Sequence, residues 1–201
     1  MKDFTTFFLL LVILSVFYLY LETKALQVTY VETHIDGKKY LVRDLKDKDE
    51  AANKLAFIRK NCTQLITHLD THISEFPNKE EGIRRLKKNF SKNPNNISES
   101  SPNNNYTSYS INKGEKIVFC LRKKKGEHKN KLMDNNTMMF VAIHELAHLM
   151  TKKIGHPPEF WDNMKFLLEV GVKENIYIKQ DFANNPKDYC GMTITDSPLY
   201  S

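Results

Sequence analysis

The chain has 201 residues, 41% of them hydrophobic and 27% charged, with a formal net charge of +6. That is room for one domain of ordinary size plus an appended segment, and it is too apolar for a disordered chain. Three cysteines with no CxxC pair exclude a disulfide-framework scaffold and a cysteine zinc ribbon. An odd count leaves at least one thiol unpaired, and the disulfide state of Cys62, Cys120 and Cys190 stays open.

Residues 4–21, "FTTFFLLLVILSVFYLYL", carry no charge, glycine or proline. As a helix such a stretch rises about 27 Å, close to the hydrocarbon thickness of a bilayer. Tyr18 and Tyr20 sit at one end, where an aromatic belt belongs. Residues 1–25 therefore read as an N-terminal membrane anchor with one retained span. A cleaved signal peptide is the alternative, and the apolar stretch is long for one. Lys2 offsets Asp3 on one flank and Lys24 offsets Glu22 on the other, so orientation is unread.

Residues 26–201 are expected to form one domain. Two β-rich runs, "LQVTYVETHI" and "KKYLVR", flank Asp36 and Gly37 and read as a hairpin. From Asp47 a long helix follows, with Ala51, Leu55, Ile58, Cys62, Leu65 and Leu69 on one buried stripe. Cys62 on that stripe reads as a structural thiol. A basic helix spans about 79–90. The Asn/Ser/Pro-rich stretch at about 91–107 has little to bury and reads as a flexible loop. A second hairpin is expected from "YTSYSIN", a turn at "NKGE" and "KIVFCLR".

The cationic runs Arg84, Arg85, Lys87, Lys88 and Arg122, Lys123, Lys124, Lys125 read as solvated faces. No aromatic residues interleave with them, so nucleic acid is not an expected partner. Five Asn-x-Ser/Thr sequons, at Asn61, Asn89, Asn96, Asn105 and Asn135, carry little weight in so asparagine-rich a chain.

The chemistry concentrates in "FVAIHELAHLMTKKIGHPPEFW". Asp134 or Asn135 is placed to cap a helix there. Side chains four apart on a helix face the same way, so His144 and His148 present two imidazoles to one point, at a bite that suits Zn2+. Glu145, beside the first ligand, is placed to take a proton from water as that water attacks a carbonyl. Lys152 and Lys153 suit the end of this helix and Gly155 its C′ position, after which the chain turns and delivers His156 as a third ligand. Pro157 and Pro158 open the next helix, whose Phe160 and Trp161 read as scaffold. His34, His68, His72 and His128 read as surface. The residue-level reading is a zinc-dependent metallopeptidase with Glu145 as base; its alternative is a non-catalytic structural membrane protein retaining the metal site.

"HELAHLMTKKIGHPPEFW" resembles the HExxH…HxxxFW signature of the small WLM and SprT-like zincin metallopeptidases. "YLVRDLKDKDEAANKLAFIRKN", "SYSINKGEKIVFCLR" and "FWDNMKFLLEVGVKE…DFANNPKDYCGMTITDSPLY" look like a membrane-anchored group of proteins from large DNA viruses and protists. The resemblance implies a zincin-like α+β fold, a peptide or protein substrate, His144, His148 and His156 as ligands and Glu145 as base. It also implies a strand bordering the cleft that pairs with substrate, for which Lys116, Ile117, Val118, Phe119 and Cys120 are the candidates. A further side chain would hold the oxyanion; Tyr189 is the candidate, with Tyr177 beside it. An N-terminal span and the lack of a DNA-binding or ubiquitin-system appendix set this chain apart from the crosslink-repair members.

Overall fold

A computed structural model describes residues 2–101 and 106–200. Helix α1 (Lys2–Leu26) contains the 18-residue apolar window Phe4–Leu21, none of which is buried against the rest of the protein. So much apolar surface requires a non-aqueous partner, and the helix suits either a membrane span or a signal sequence.

Strands β1 (Val28–Glu32) and β2 (Lys39–Arg43) form the expected antiparallel hairpin, Val28 opposite Arg43 and Glu32 opposite Lys39. Helix α2 (Lys48–Thr71) buries all six residues of the predicted stripe. Among them the Cys62 thiol is free, and burial pushes its pKa up to about 12. Two short 3-10 turns, Ile73–Glu75 and Pro77–Lys79, lead into α3 (Glu80–Phe90), which buries Ile83, Leu86 and Phe90.

The region expected to be a flexible loop contains structure. Strand β3 (Ile97–Glu99) is buried along its length and runs parallel to β5 (Lys116–Phe119). Polar partners hold its start: Asn96, just ahead of the strand, accepts from Arg59 Nη2 at 2.9 Å and donates to the carbonyls of Phe90 and Gly114. Residues 102–105 lie outside the described residues, and with them Asn105. The sequons at Asn89 and Asn96 are therefore structural amides, both buried.

Strand β4 (Tyr109–Ile111) pairs antiparallel with β5, so the three-stranded sheet has the order β3-β5-β4. Gly114, at φ +99°, closes the β4–β5 turn; a Cβ there would lie 2.4 Å from the Asn89 carbonyl oxygen, a contact no side chain tolerates. Arg122, just beyond β5, is buried rather than solvated. Its Nε donates to Glu99 at 2.7 Å and its Nη1 to Asp47 at 2.6 Å, while Glu99 also accepts from the Arg43 backbone. One guanidinium thus joins the first hairpin, the start of α2 and the sheet.

Helix α4 (Asn135–Met150) lies at the centre, packed on α2, α3 and α5 (Pro158–Lys173). Asp134 caps it, accepting from the Thr137 backbone N–H at 2.8 Å. Val141 and Ile143 each cost α4 roughly 0.5 kcal/mol of helix propensity. Each recovers about 1.5–3 kcal/mol on burial, so packing decides the conformation. A last hairpin, β6 (Lys187–Tyr189) and β7 (Met192–Ile194), turns at Cys190 and Gly191, both with positive φ. A disulfide joins Cys120, at the end of β5, to Cys190 in this turn. The whole is a mixed α+β fold of small sheets with one N-terminal apolar helix.

Candidate metal centre

His144 and His148 project from one face of α4, and His156 returns to them from the α4–α5 loop. The His144 Nε2 lies 3.2 Å from that of His148 and 3.3 Å from that of His156, and each ring offers a ligand atom within 4.8 Å of the other two. Among the described residues this is the one group of three or more His, Cys, Asp or Glu side chains that could hold a metal ion. His68 and His72, expected at the surface, are half-buried and stacked at 4.4 Å, with His68 Nδ1 3.4 Å from Glu174.

The loop that returns His156 is built differently from the expectation. α4 ends at Met150, and Thr151 is extended, four residues ahead of Gly155. The cations that cap the helix come from elsewhere in the chain. Lys113 Nζ donates to the carbonyls of His148, Thr151 and Lys153 at 2.9, 2.8 and 2.8 Å. Arg85 reaches the Met150 carbonyl and Asn89 that of Leu149. Gly155, at φ +82°, still reverses the chain immediately before His156.

The rings are clamped by aromatic residues that local sequence did not flag. Phe160, fully buried, has its ring centroid 4.9, 4.5 and 4.5 Å from those of His144, His148 and His156. Trp161 is 47% exposed and stacks on His156 at 5.6 Å. Both were read as scaffold; their place in the HxxxFW stretch that begins at His156 was the available signal. Burial, with His148 and His156 adding to it, holds the His144 ring down at about 3. Burial, with His156 and Lys113 adding, holds His148 at about 4. At neutral pH both rings are therefore uncharged and keep a lone pair for a cation.

Glu145 is 3% exposed, its Oε2 has no partner among the described residues, and burial raises its pKa to about 8. It opens on a cleft of about 660 Å³ shared with His144, His156, Trp161, Tyr189 and the C-terminal residues 192–198. Tyr189 is buried there, its hydroxyl paired with that of Ser108. Burial raises its phenol well above the usual range, and the Glu145 carboxylate adds to the shift. Tyr177 does not line the cleft; it is buried against Phe140. The substrate-pairing assignment to residues 116–120 fails, because β5 is the central strand and has β3 on one side and β4 on the other. The sheet meets the cleft at the approach to β4 instead, through Thr107 and Ser108.

These features define a class: a mixed α+β protein with an apolar N-terminal helix and a three-histidine cluster beside a buried glutamate. No family model matches the chain, and no solved structure does. The protein named "Uncharacterized protein R325" of Acanthamoeba polyphaga mimivirus is 32% identical over 191 residues, which is 95% of this chain and 94% of the relative. The chain belongs to the same family as that mimivirus protein. "Uncharacterized protein 042R" of Invertebrate iridescent virus 3 is 34% identical over 87 residues, 42% of this chain and 50% of the relative. "Uncharacterized protein 136R" of Invertebrate iridescent virus 6 is 32% identical over 83 residues, 41% of this chain and 44% of the relative. All three relatives are proteins of large DNA viruses.

Proposed function

We propose that this protein is a membrane-anchored, zinc-dependent metallopeptidase of the zincin type, similar to the WLM and SprT-like enzymes. His144, His148 and His156 would hold Zn2+, and residues 4–21 would span the membrane.

The observation that carries the reading is the convergence of three imidazoles on one point. Zinc–nitrogen bonds of about 2.0–2.1 Å in a tetrahedral site put ligand nitrogens about 3.3–3.4 Å apart. The two Nε2 separations of 3.2 and 3.3 Å match that edge. Hydrogen bonding does not account for them, since a single ring nitrogen on His144 has at most one proton to share between two neighbours. Three lone pairs turned inward call for a cation.

Bound zinc supplies Lewis acidity, acidifying water and polarising a peptide carbonyl. Glu145 Oε2 takes the proton from the attacking water and delivers it to the leaving amine nitrogen. Its burial and its lack of another partner leave that oxygen available for the task. Tyr189 Oη, oriented by Ser108, is the candidate donor to the oxyanion. Phe160 and the Lys113 cap keep the three rings from spreading.

The test uses the full chain purified in detergent. The expected result is one zinc per chain by elemental analysis and cleavage of a mixed peptide library. Glu145→Gln should keep the metal and lose activity by roughly a thousandfold. Zinc retained with no cleavage by the unaltered chain would favour the non-catalytic structural role instead, and an active Glu145→Gln protein would refute the mechanism.

A further inference from the structure

We infer that the cleft selects a polypeptide by a large apolar side chain, and that the C-terminal segment 192–198 supplies the selecting wall. The inference rests on the peptidase reading and narrows its substrate class.

The cleft has two faces of different origin. Phe140 and Val141 of α4 and Met164 of α5 make one, and Ile194 and Pro198 make the other, with Trp161 at the rim. A volume of about 660 Å³ accommodates a bulky side chain together with the flanking main chain. The acidic side chains along this lining are Glu145 and Asp196; among the described residues neither lysine nor arginine lines it, in a chain carrying 30 of them. An anionic side chain of the bound molecule would find no lysine or arginine to pair with along these walls. The unpartnered Oε2 of buried Glu145 opens on the same cleft, where a polar group of a bound molecule can meet it. An apolar body joined to hydrogen-bonding groups describes an uncharged peptide segment.

The far wall owes its place to non-local bonds. The β6–β7 turn carries Cys190, whose disulfide to Cys120 spans 70 residues and fixes the hairpin beside the end of β5. Tyr189 bonds Ser108 from the same hairpin. Residues 192–198 then run along the cleft opposite α4 and α5, which makes Ile194 a specificity-determining side chain.

Trp161 is the only tryptophan in the chain and stands on the cleft, so its emission reports occupancy without any need for turnover. The full chain carrying Glu145→Gln, reconstituted in phosphatidylcholine nanodiscs, is titrated with blocked tetrapeptides differing at one position. Leu or Phe there is expected to bind about tenfold or more tightly than Ala, and Asp more weakly than Ala. Ile194→Ser should reduce the Phe-over-Ala ratio severalfold while the fold, followed by circular dichroism, is unchanged. Equal affinity for Phe and Ala peptides would overturn the inference. So would dodecanol shifting the Trp161 emission as strongly as the Phe peptide, which would make the cleft a lipid-tail site. Cleavage by the unaltered chain is scored in parallel. Selective binding without cleavage sinks the peptidase reading and leaves the subsite standing; cleavage without selectivity sinks the subsite alone.

Discussion

Lys113 lies in the β4–β5 turn with φ +53°, and its ammonium reaches three carbonyls at the C-terminal end of α4. Those are groups a helix end leaves without intrahelical partners, and a cation there also meets the negative end of the helix dipole. One carbonyl belongs to His148, a proposed ligand, and another lies three residues before His156. Lys113→Met keeps the aliphatic stem and removes all three bonds. A hydrogen bond from a charged donor nets about 1.5–3 kcal/mol, and three from one partly exposed ammonium do not add. The expected loss is therefore ~2–3 kcal/mol in total, which lowers the melting temperature of a chain this size by roughly 5–10 °C. Loosening the 151–155 loop also frees His156, and loss of an orienting partner typically weakens metal binding by about 10–100-fold. Circular dichroism melts of the full chain, with zinc competition against a chromophoric chelator, measure both effects. Lys60→Met, at an exposed position on α2, controls for the charge change. If Lys113→Met melts and binds zinc like Lys60→Met, the cap does not hold the site. Lower stability with unaltered zinc affinity would refute the coupling between cap and ligands.

Phe160→Ala is expected to cost about 3–5 kcal/mol by urea denaturation, because the ring is fully buried and contacts all three histidines. Reducing the Cys120–Cys190 disulfide, which closes a span of 70 residues, should remove about 4 kcal/mol on the chain-entropy estimate. Iodoacetamide is expected to label no thiol before reduction and two after it, with buried Cys62 modified only on unfolding; mass spectrometry counts the adducts. Arg122→Met leaves Glu99 buried without its cation and should cost about 3–5 kcal/mol. The double change with Glu99→Leu is expected to recover much of that loss, and chemical denaturation of the pair checks it.

What could be read from the chain was whatever the backbone expresses locally. The α2 stripe repeats at helical spacing, and each residue on it is buried. β3 was missed because its neighbourhood is asparagine and serine, and a strand buried through polar partners leaves no alternation of apolar residues to detect. The error then propagated. Without β3, the next strand looked like an edge; with β3 paired to it, β5 is central and closed to substrate on both sides.

The centre divides in the same way. His144, Glu145 and His148 follow from a one-turn spacing, and His156 from a glycine reversal ahead of two prolines, so all four are legible within 13 residues. Lys113 and the 192–198 wall were invisible because their roles arise from contacts between distant segments, whereas Phe160 stood inside the motif and only its contacts were unread. Of the cationic runs, Arg84, Lys87, Lys88 and Lys125 are exposed as expected, while Arg85 and Arg122 are drawn into the fold, as is Lys113 outside the runs. Arg85 and Lys113 sit at the carbonyl end of α4 and Arg122 lies inside the ion-paired network below the sheet. Each cation has gone to oxygen atoms that the fold would otherwise bury unpaired, away from the cleft wall. That placement reconciles a chain of net charge +6 with a cleft that, among the described residues, neither lysine nor arginine lines.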